Sequence, residues 1–179
     1  MNILSKDRLL SEAQRAQNRG DYNVAIDRYN KVLKFEPHNY YALNNLSVIY
    51  INQSKFELAE EVLLKLLSNS EGDANSFNHL ALVYMRTFRL DQALKLLEHA
   101  LSLDPFKIET YQNLTNVCAQ LKDNESALHY ALEGVKIDPT SSAIFNNLGS
   151  VFNSMAKFEE ARLSFETAYE LDNNNIEAL

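Results

Sequence analysis

The chain has 179 residues, 46% of them hydrophobic, with 17 Lys and Arg against 24 Asp and Glu and a formal charge of -7. That acidity speaks against nucleic-acid or anionic-membrane partners, which need a basic stripe to displace counterions, and a lone cysteine leaves no internal disulfide framework. The N-terminal MNILSKDRLL lacks a basic leader with a sustained apolar core, and no apolar run nears the roughly 18 residues that span a bilayer, so a cytoplasmic protein is expected.

Residues 1–5 read as a short lead-in. From Lys6 the spacing predicts an amphipathic helix carrying Leu9, Ala13 and Ala16, broken at Gly20 and Asp21. A second helix then carries Tyr22, Ala25, Tyr29 and Val32 and stops at Pro37. Counting Lys6 as position 1, the large and small apolar residues fall at positions 4, 7, 8, 11, 17, 20, 24 and 27, and the pattern returns every 34 residues. Residues 40–73 supply Leu43, Leu46, Ser47, Tyr50, Phe56, Ala59, Leu63 and Leu66, and residues 74–107 supply Phe77, Leu80, Ala81, Tyr84, Leu90, Ala93, Leu97 and Ala100. Residues 108–141 supply Tyr111, Leu114, Thr115, Cys118, Asn124, Ala127, Ala131 and Gly134. Residues 142–175 supply Phe145, Leu148, Gly149, Phe152, Phe158, Ala161, Phe165 and Ala168, and residues 176–179 restart the pattern as an incomplete sixth copy. Five copies therefore follow one another from 6–39 to 142–175. One such unit cannot bury its own apolar face, so stability has to come from stacking on neighbours.

Pro37, Pro105 and Pro139 share position 32 and mark copy boundaries, while Gly72 and the run Asn173–Asn175 are expected to form the turn where proline is missing. Small residues at positions 8 and 20 let paired helices approach closely. Asn124 replaces a large side chain, which predicts the loosest turn in 108–141, and Gly134 weakens the same copy by about 0.5–1 kcal/mol relative to alanine, a local soft spot. Cys118 sits at a core position, as a small buried thiol.

The period and the residues quoted resemble the tetratricopeptide repeat, whose pattern has a large residue, Leu-Gly, Tyr, Ala, Phe, Ala and Pro at these places. The first copy departs at Glu12 and the fourth at Asn124 and Gly134. The resemblance implies an all-α fold, a right-handed superhelical α-solenoid whose first helices line a concave groove. It implies protein or peptide binding and no narrower function.

At about 100° per residue, positions 2, 5, 6, 9, 12 and 13 of the first helices lie opposite the packing residues. Positions 5 and 6 hold Asn44 and Asn45, Asn78 and His79, Gln112 and Asn113, and Asn146 and Asn147, a nearly uncharged ladder that Asn116 extends with Gln14, Gln17, Asn18, Ser150 and Asn153. An amide offers donors and an acceptor, matching the backbone of an extended peptide. Each such bond nets about 0.5–1.5 kcal/mol against the roughly 8 kcal/mol of micromolar affinity, so side-chain pockets must contribute as well. Tyr41, Val48, Ile51, Leu82 and Met85 are candidates for one. The competing reading has the position-6 asparagines supporting packing between adjacent copies. Those asparagines, Asn45, Asn113 and Asn147, also resemble the asparagine ladder in the repeat arm of O-linked N-acetylglucosamine transferase, with His79 and Ser11 as departures. The clamp of lysines, asparagines and an arginine by which other tetratricopeptide proteins hold a chaperone's C-terminal carboxylate is not matched by Leu10, Gln14, Asn45, Asn75 and His79.

No Gly-rich phosphate loop, Cys-x-x-Cys or His-Glu-x-x-His occurs, and His38, His79, His99 and His129 lack metal-ligand spacing. No catalytic residue, metal or cofactor is expected. The leading expectation is a scaffold binding an extended segment of a partner protein. The alternatives are the substrate-recruiting arm of a longer glycosyltransferase-like enzyme and a structural module forming a homodimer through an uncapped C-terminal end.

Overall fold

The computed structural model describes residues 3–68 and 72–177. Every regular element there is a helix: α1 (Ile3–Asn18), α2 (Tyr22–Leu33), α3 (Tyr40–Asn52), α4 (Phe56–Leu67), α5 (Ala74–Arg86), α6 (Leu90–Leu103), α7 (Ile108–Gln120), α8 (Asn124–Ile137), α9 (Ser142–Ser154) and α10 (Phe158–Glu177). The chain divides into two compact units, Met1–Thr87 and Phe88–Leu179. In the first, α1 packs on α2, α3 on α4, and α3 and α5 follow on α2 and α4. In the second, α7 packs on α8, α9 on α10, and α7 and α9 follow on α6 and α8. This is an all-α fold of helix-turn-helix repeats.

The turn after each first helix is set by one backbone conformation. Gly20, Ser54, Phe88, Lys122 and Ala156 all stand at position 15 and all have φ between 56° and 79°. Such a left-handed residue lets the next N–H reach back across the helix end. The bonds run from Asp21 to Ala16 (2.9 Å), Lys55 to Tyr50 (2.8 Å), Asp123 to Cys118 (3.0 Å) and Lys157 to Phe152 (2.9 Å). The turn before Asn124 therefore closes like the others, contrary to the loose turn expected of it. The reversal is built by backbone bonds and does not need a buried ring at position 17: Phe158, the counterpart in the last copy, is 66% exposed. Asn124 instead accepts a hydrogen bond from Ser154 Oγ at 2.9 Å, tying α8 to α9.

In the second to fifth copies, positions 3 and 10 of the first helices are buried as well, although the repeat pattern does not mark them. Ala42 and Ile49, Ser76 and Val83, Thr110 and Val117, and Ile144 and Val151 all lie inside. They complete a stripe with position 7 that packs on the preceding second helix; in the first unit Ala42, Leu46 and Ile49 share a cluster with Tyr29 and Val32, against which Ile26 and Leu33 pack. The first copy has nothing to pack there among the described residues, and its stripe is Arg8, Glu12 and Arg15. Glu12 is bonded to Arg8 and Arg28 at 2.9 Å, which explains its departure from leucine.

This stripe also corrects the reading of Gly134 as a soft spot. A Cβ on Gly134 would sit 2.9 Å from the Ile144 side chain and 3.1 Å from Tyr111 Cβ. Glycine is there because Ile144, fully buried, fills the volume that Val32 or Leu66 occupies in earlier copies, where position 3 of the next helix is only Ala42 or Ser76. At the C-terminal end, the expected turn at Asn173–Asn175 is absent: α10 runs unbroken for 20 residues to Glu177, since three asparagines without proline or glycine do not stop a helix. Ala178 and Leu179, and Glu71 beside the positive-φ Gly72, lie outside the described residues. Cys118 is buried, and burial first, then Asp123 and Glu98, pushes its thiol up to about 11.

Two glycine substitutions should move stability in opposite directions. Ala156→Gly relieves left-handed strain and should raise the unfolding free energy by about 0.5–1 kcal/mol. Gly134→Ala should lower it by about 1 kcal/mol or more despite its gain in helix propensity, and adding Ile144→Val should recover part of that loss. Urea denaturation of the variants checks both.

Candidate functional site

The solvent side of the first helices carries the predicted amides, and the structure sorts them by what they already hold. Asn45 Nδ2 donates to the Tyr41 carbonyl at 2.8 Å, one turn back in α3. Asn78 is buried, and its Nδ2 donates to the Ala74 carbonyl at 2.8 Å. Gln112 Nε2 donates to Ser141 Oγ at 3.1 Å, at the start of α9. Asn147 Nδ2 donates to the Gln112 carbonyl at 3.3 Å, from one repeat to the one before. His79 and Asn113 are half-buried.

Asn116, Asn146 and Asn153 make no side-chain hydrogen bond among the described residues, Asn146 and Asn153 are exposed, and Asn44 holds a shielded Oδ1 that no donor reaches. Asn44 and Asn146 share position 5, and Asn116 sits at position 9 of α7, beside α9 in the second unit.

In the first unit the neighbouring surface is aromatic and apolar. Tyr41, 42% exposed, stands edge-on to the buried Tyr29 with ring centroids 6.3 Å apart. Tyr29 Oη donates to Gln17 Oε1 at 3.0 Å, and Gln14 Oε1 accepts from Tyr41 Oη. Burial first, then Tyr41, drives the Tyr29 phenol well above its ordinary range, so Gln14 and Gln17 serve to satisfy hydroxyls of the fold. Beyond Tyr41, α3 and α5 pack together and present Val48, Ile51 and Leu82 half-buried, with Met85 buried beneath.

A polar link that the sequence reading missed anchors this face. Asp73 caps α5, accepting from Ser76 N at 2.9 Å and Ser76 Oγ at 2.6 Å, while Tyr40 Oη at the start of α3 donates to its other oxygen at 2.6 Å. The signal for it was an Asp followed three residues later by Ser just before an apolar-periodic stretch, a helix-start pattern. Burial opposes ionisation of Asp73, but the bonds from Ser76, Tyr40 and Asn75 outweigh it and hold the carboxyl below the usual carboxylate range. Tyr40 is pushed up to about 12 by burial and then by Asp73.

Among the described residues no group of three or more His, Cys, Asp or Glu is placed to hold a metal ion, and no helix is long and apolar enough to cross a membrane.

Models of the tetratricopeptide repeat match residues 10–74, 72–140 and 142–175. No curated protein matches the chain in sequence. Among solved structures it is similar to TTC0263, a thermophilic TPR protein of Thermus thermophilus, at 19% identity and TM-score 0.80, covering 96% of this chain and 94% of that one. It is similar to MamA, residues 41 to the end, from Desulfovibrio magneticus RS-1, at 18% identity and TM-score 0.82, with 94% and 96% covered. It is also similar to YrrB, described as a TPR protein with an unusual peptide-binding site, at 18% identity and TM-score 0.71, with 94% and 87% covered. At these identities the likeness is one of fold.

Because the folded-state pKa of Asp73 is depressed, its contribution is present above the usual carboxylate range and lost as pH falls through the lowered value. Asp73→Ala should therefore cost about 1 kcal/mol or more near neutral pH, and its deficit against the parent chain should shrink in acid. Urea midpoints at several pH values read both.

Proposed function

The chain belongs to the tetratricopeptide repeat family, and on that premise we propose that it holds an extended segment of a partner protein against its first-helix faces. Proteins of this family act as scaffolds for protein–protein interaction, which is the broad function. The observation that carries the narrower reading is the contrast between engaged and open amides. Asn45, Asn78, Gln112 and Asn147 are occupied within the fold, whereas Asn116 and Asn146 keep donors and acceptors available beside them and Asn44, its Oδ1 shielded, keeps its Nδ2 donors.

In the second unit Asn116 and Asn146 would hydrogen-bond the backbone of the segment, with Asn113 and Asn147 supporting them. In the first unit Asn44 would do so next to Val48, Ile51, Leu82 and Tyr41, where apolar side chains of the segment would add the affinity that hydrogen bonds alone do not reach. His79 completes this set as a half-buried flank to Leu82. Asn147 bonds a carbonyl of the preceding repeat, a packing role, and Asn45 bonds a carbonyl of its own helix, so both amides are engaged within the fold. This favours a binding scaffold over the glycosyltransferase-arm reading, which rested on position 6 as a ladder. A cytoplasmic setting is part of this proposal.

Peptides selected for binding from a randomised display library provide the test. Changing Asn44, Asn116 and Asn146 together to Ala should weaken them about tenfold or more while leaving the circular-dichroism melt unchanged. Asn147→Ala should instead lower the melt, at a cost of about 0.5–1.5 kcal/mol. Unchanged affinity in the triple variant would overturn the proposal.

A further inference from the structure

Charge is almost absent from the first helices after α1. Across α3, α5, α7 and α9 the formally charged side chains are Arg86 and Glu109. Glu109 pairs with Lys107 at 3.5 Å. Arg86 is exposed and makes no ion pair or side-chain hydrogen bond among the described residues. A cation in the last turn of a helix is favoured by the helix dipole, but α3, α7 and α9 end without one, so helix ends in this fold do not require it.

The surroundings of Arg86 suit it to a ligand. Leu82, Met85 and Arg86 stand at positions 9, 12 and 13, on one face of α5. Val48, Ile51 and Asn52 hold the same positions in α3, which packs on α5. Val48, Ile51 and Leu82 are half-buried and Met85 is buried, while Asn52 is exposed and makes no side-chain hydrogen bond among the described residues. An apolar patch is thus followed, in each helix, by an uncommitted donor. The charge of the chain favours the same place for an anion. The first unit has ten basic and ten acidic side chains and the second seven against fourteen, so the whole formal charge of -7 lies in the second. An acidic group of a partner is therefore disfavoured at the second unit and drawn to Arg86 in the first.

We infer that the segment held against the first unit carries an Asp or Glu beside an aliphatic side chain. The aliphatic group lies against Val48, Ile51 and Leu82; Arg86 takes the carboxylate in a two-pronged hydrogen bond, and the Asn52 amide donates to it. This deepens the proposed function and rests on it. A phosphate is less suited, because its near-double charge calls for more than one cation and α3 and α5 hold no Lys or other Arg.

Peptides selected from a randomised display library and synthesised with an amidated C-terminus test this. They should be enriched in Asp or Glu, and exchanging that residue for Asn or Gln should weaken binding about three- to tenfold. Arg86→Gln should cost the acidic peptide the same factor and leave its uncharged counterpart unchanged, so the two changes do not add. The loss should shrink at about 0.5 M salt. The circular-dichroism melt of Arg86→Gln should match that of the parent chain. No acidic enrichment, equal losses for the acidic and uncharged peptides, or binding that requires a free C-terminal carboxylate would overturn the inference. If Arg86→Gln leaves affinity unchanged while the triple variant of Asn44, Asn116 and Asn146 weakens it, the carboxylate site falls and the proposed binding face stands. If neither weakens it, or no peptide is selected, both fall.

Discussion

The constraint on which this fold depends is the fixed volume between a second helix and the first helix that follows it. Residues at positions 24 and 27 on one side and at 3, 7 and 10 on the other must fill that space together without voids. Val32 meets a cluster containing Ala42, and Gly134 meets Ile144 at a distance no Cβ could share. The sizes change in compensation from copy to copy, so the helices keep their spacing while the residues differ. Repeats of this kind gain stability chiefly at such junctions, since no copy has a core of its own.

The junctions also determine which polar groups remain for a partner. First helices lie side by side once their stripes are buried, and side chains near the seam find acceptors in the neighbouring backbone. Asn147 reaches the Gln112 carbonyl, and Gln112 in turn reaches Ser141. Asn116 and Asn146 sit away from such acceptors and stay open. Identical amides at neighbouring positions therefore divide into those that hold the array and those that face solvent. In the first unit the tyrosines recruit Gln14 and Gln17 in the same way, because a buried phenol requires an acceptor.

The same positions differ between copies. At positions 3, 7 and 10, α1 carries Arg8, Glu12 and Arg15 where α3 carries Ala42, Leu46 and Ile49. The opposite face on α10 keeps its aromatic residues at the positions where α2 keeps Ile26, Tyr29 and Leu33.

The amino-acid sequence by itself determined the helices, their pairing and the period. Those follow from the spacing of Leu, Ala and aromatic residues along a helix of known pitch, and they are local. It also placed Asn44, Asn116 and Asn146 on the side away from the packing residues, by the same arithmetic. The tertiary structure alone decided what Gly134 is for, what Asn124 holds, and that Gln112 and Asn147 are engaged across repeats. Each of those depends on an atom from beyond the residue's own helix: Ile144, Ser154, Ser141 or the Gln112 carbonyl. The continuation of α10 through Asn173–Asn175 belongs with them, because asparagine is neutral enough in a helix that its neighbours, not its own preference, settle the outcome. Periodicity reads the pitch of one helix; the distance between two helices is set by the side chains of both, and no single stretch of sequence contains it.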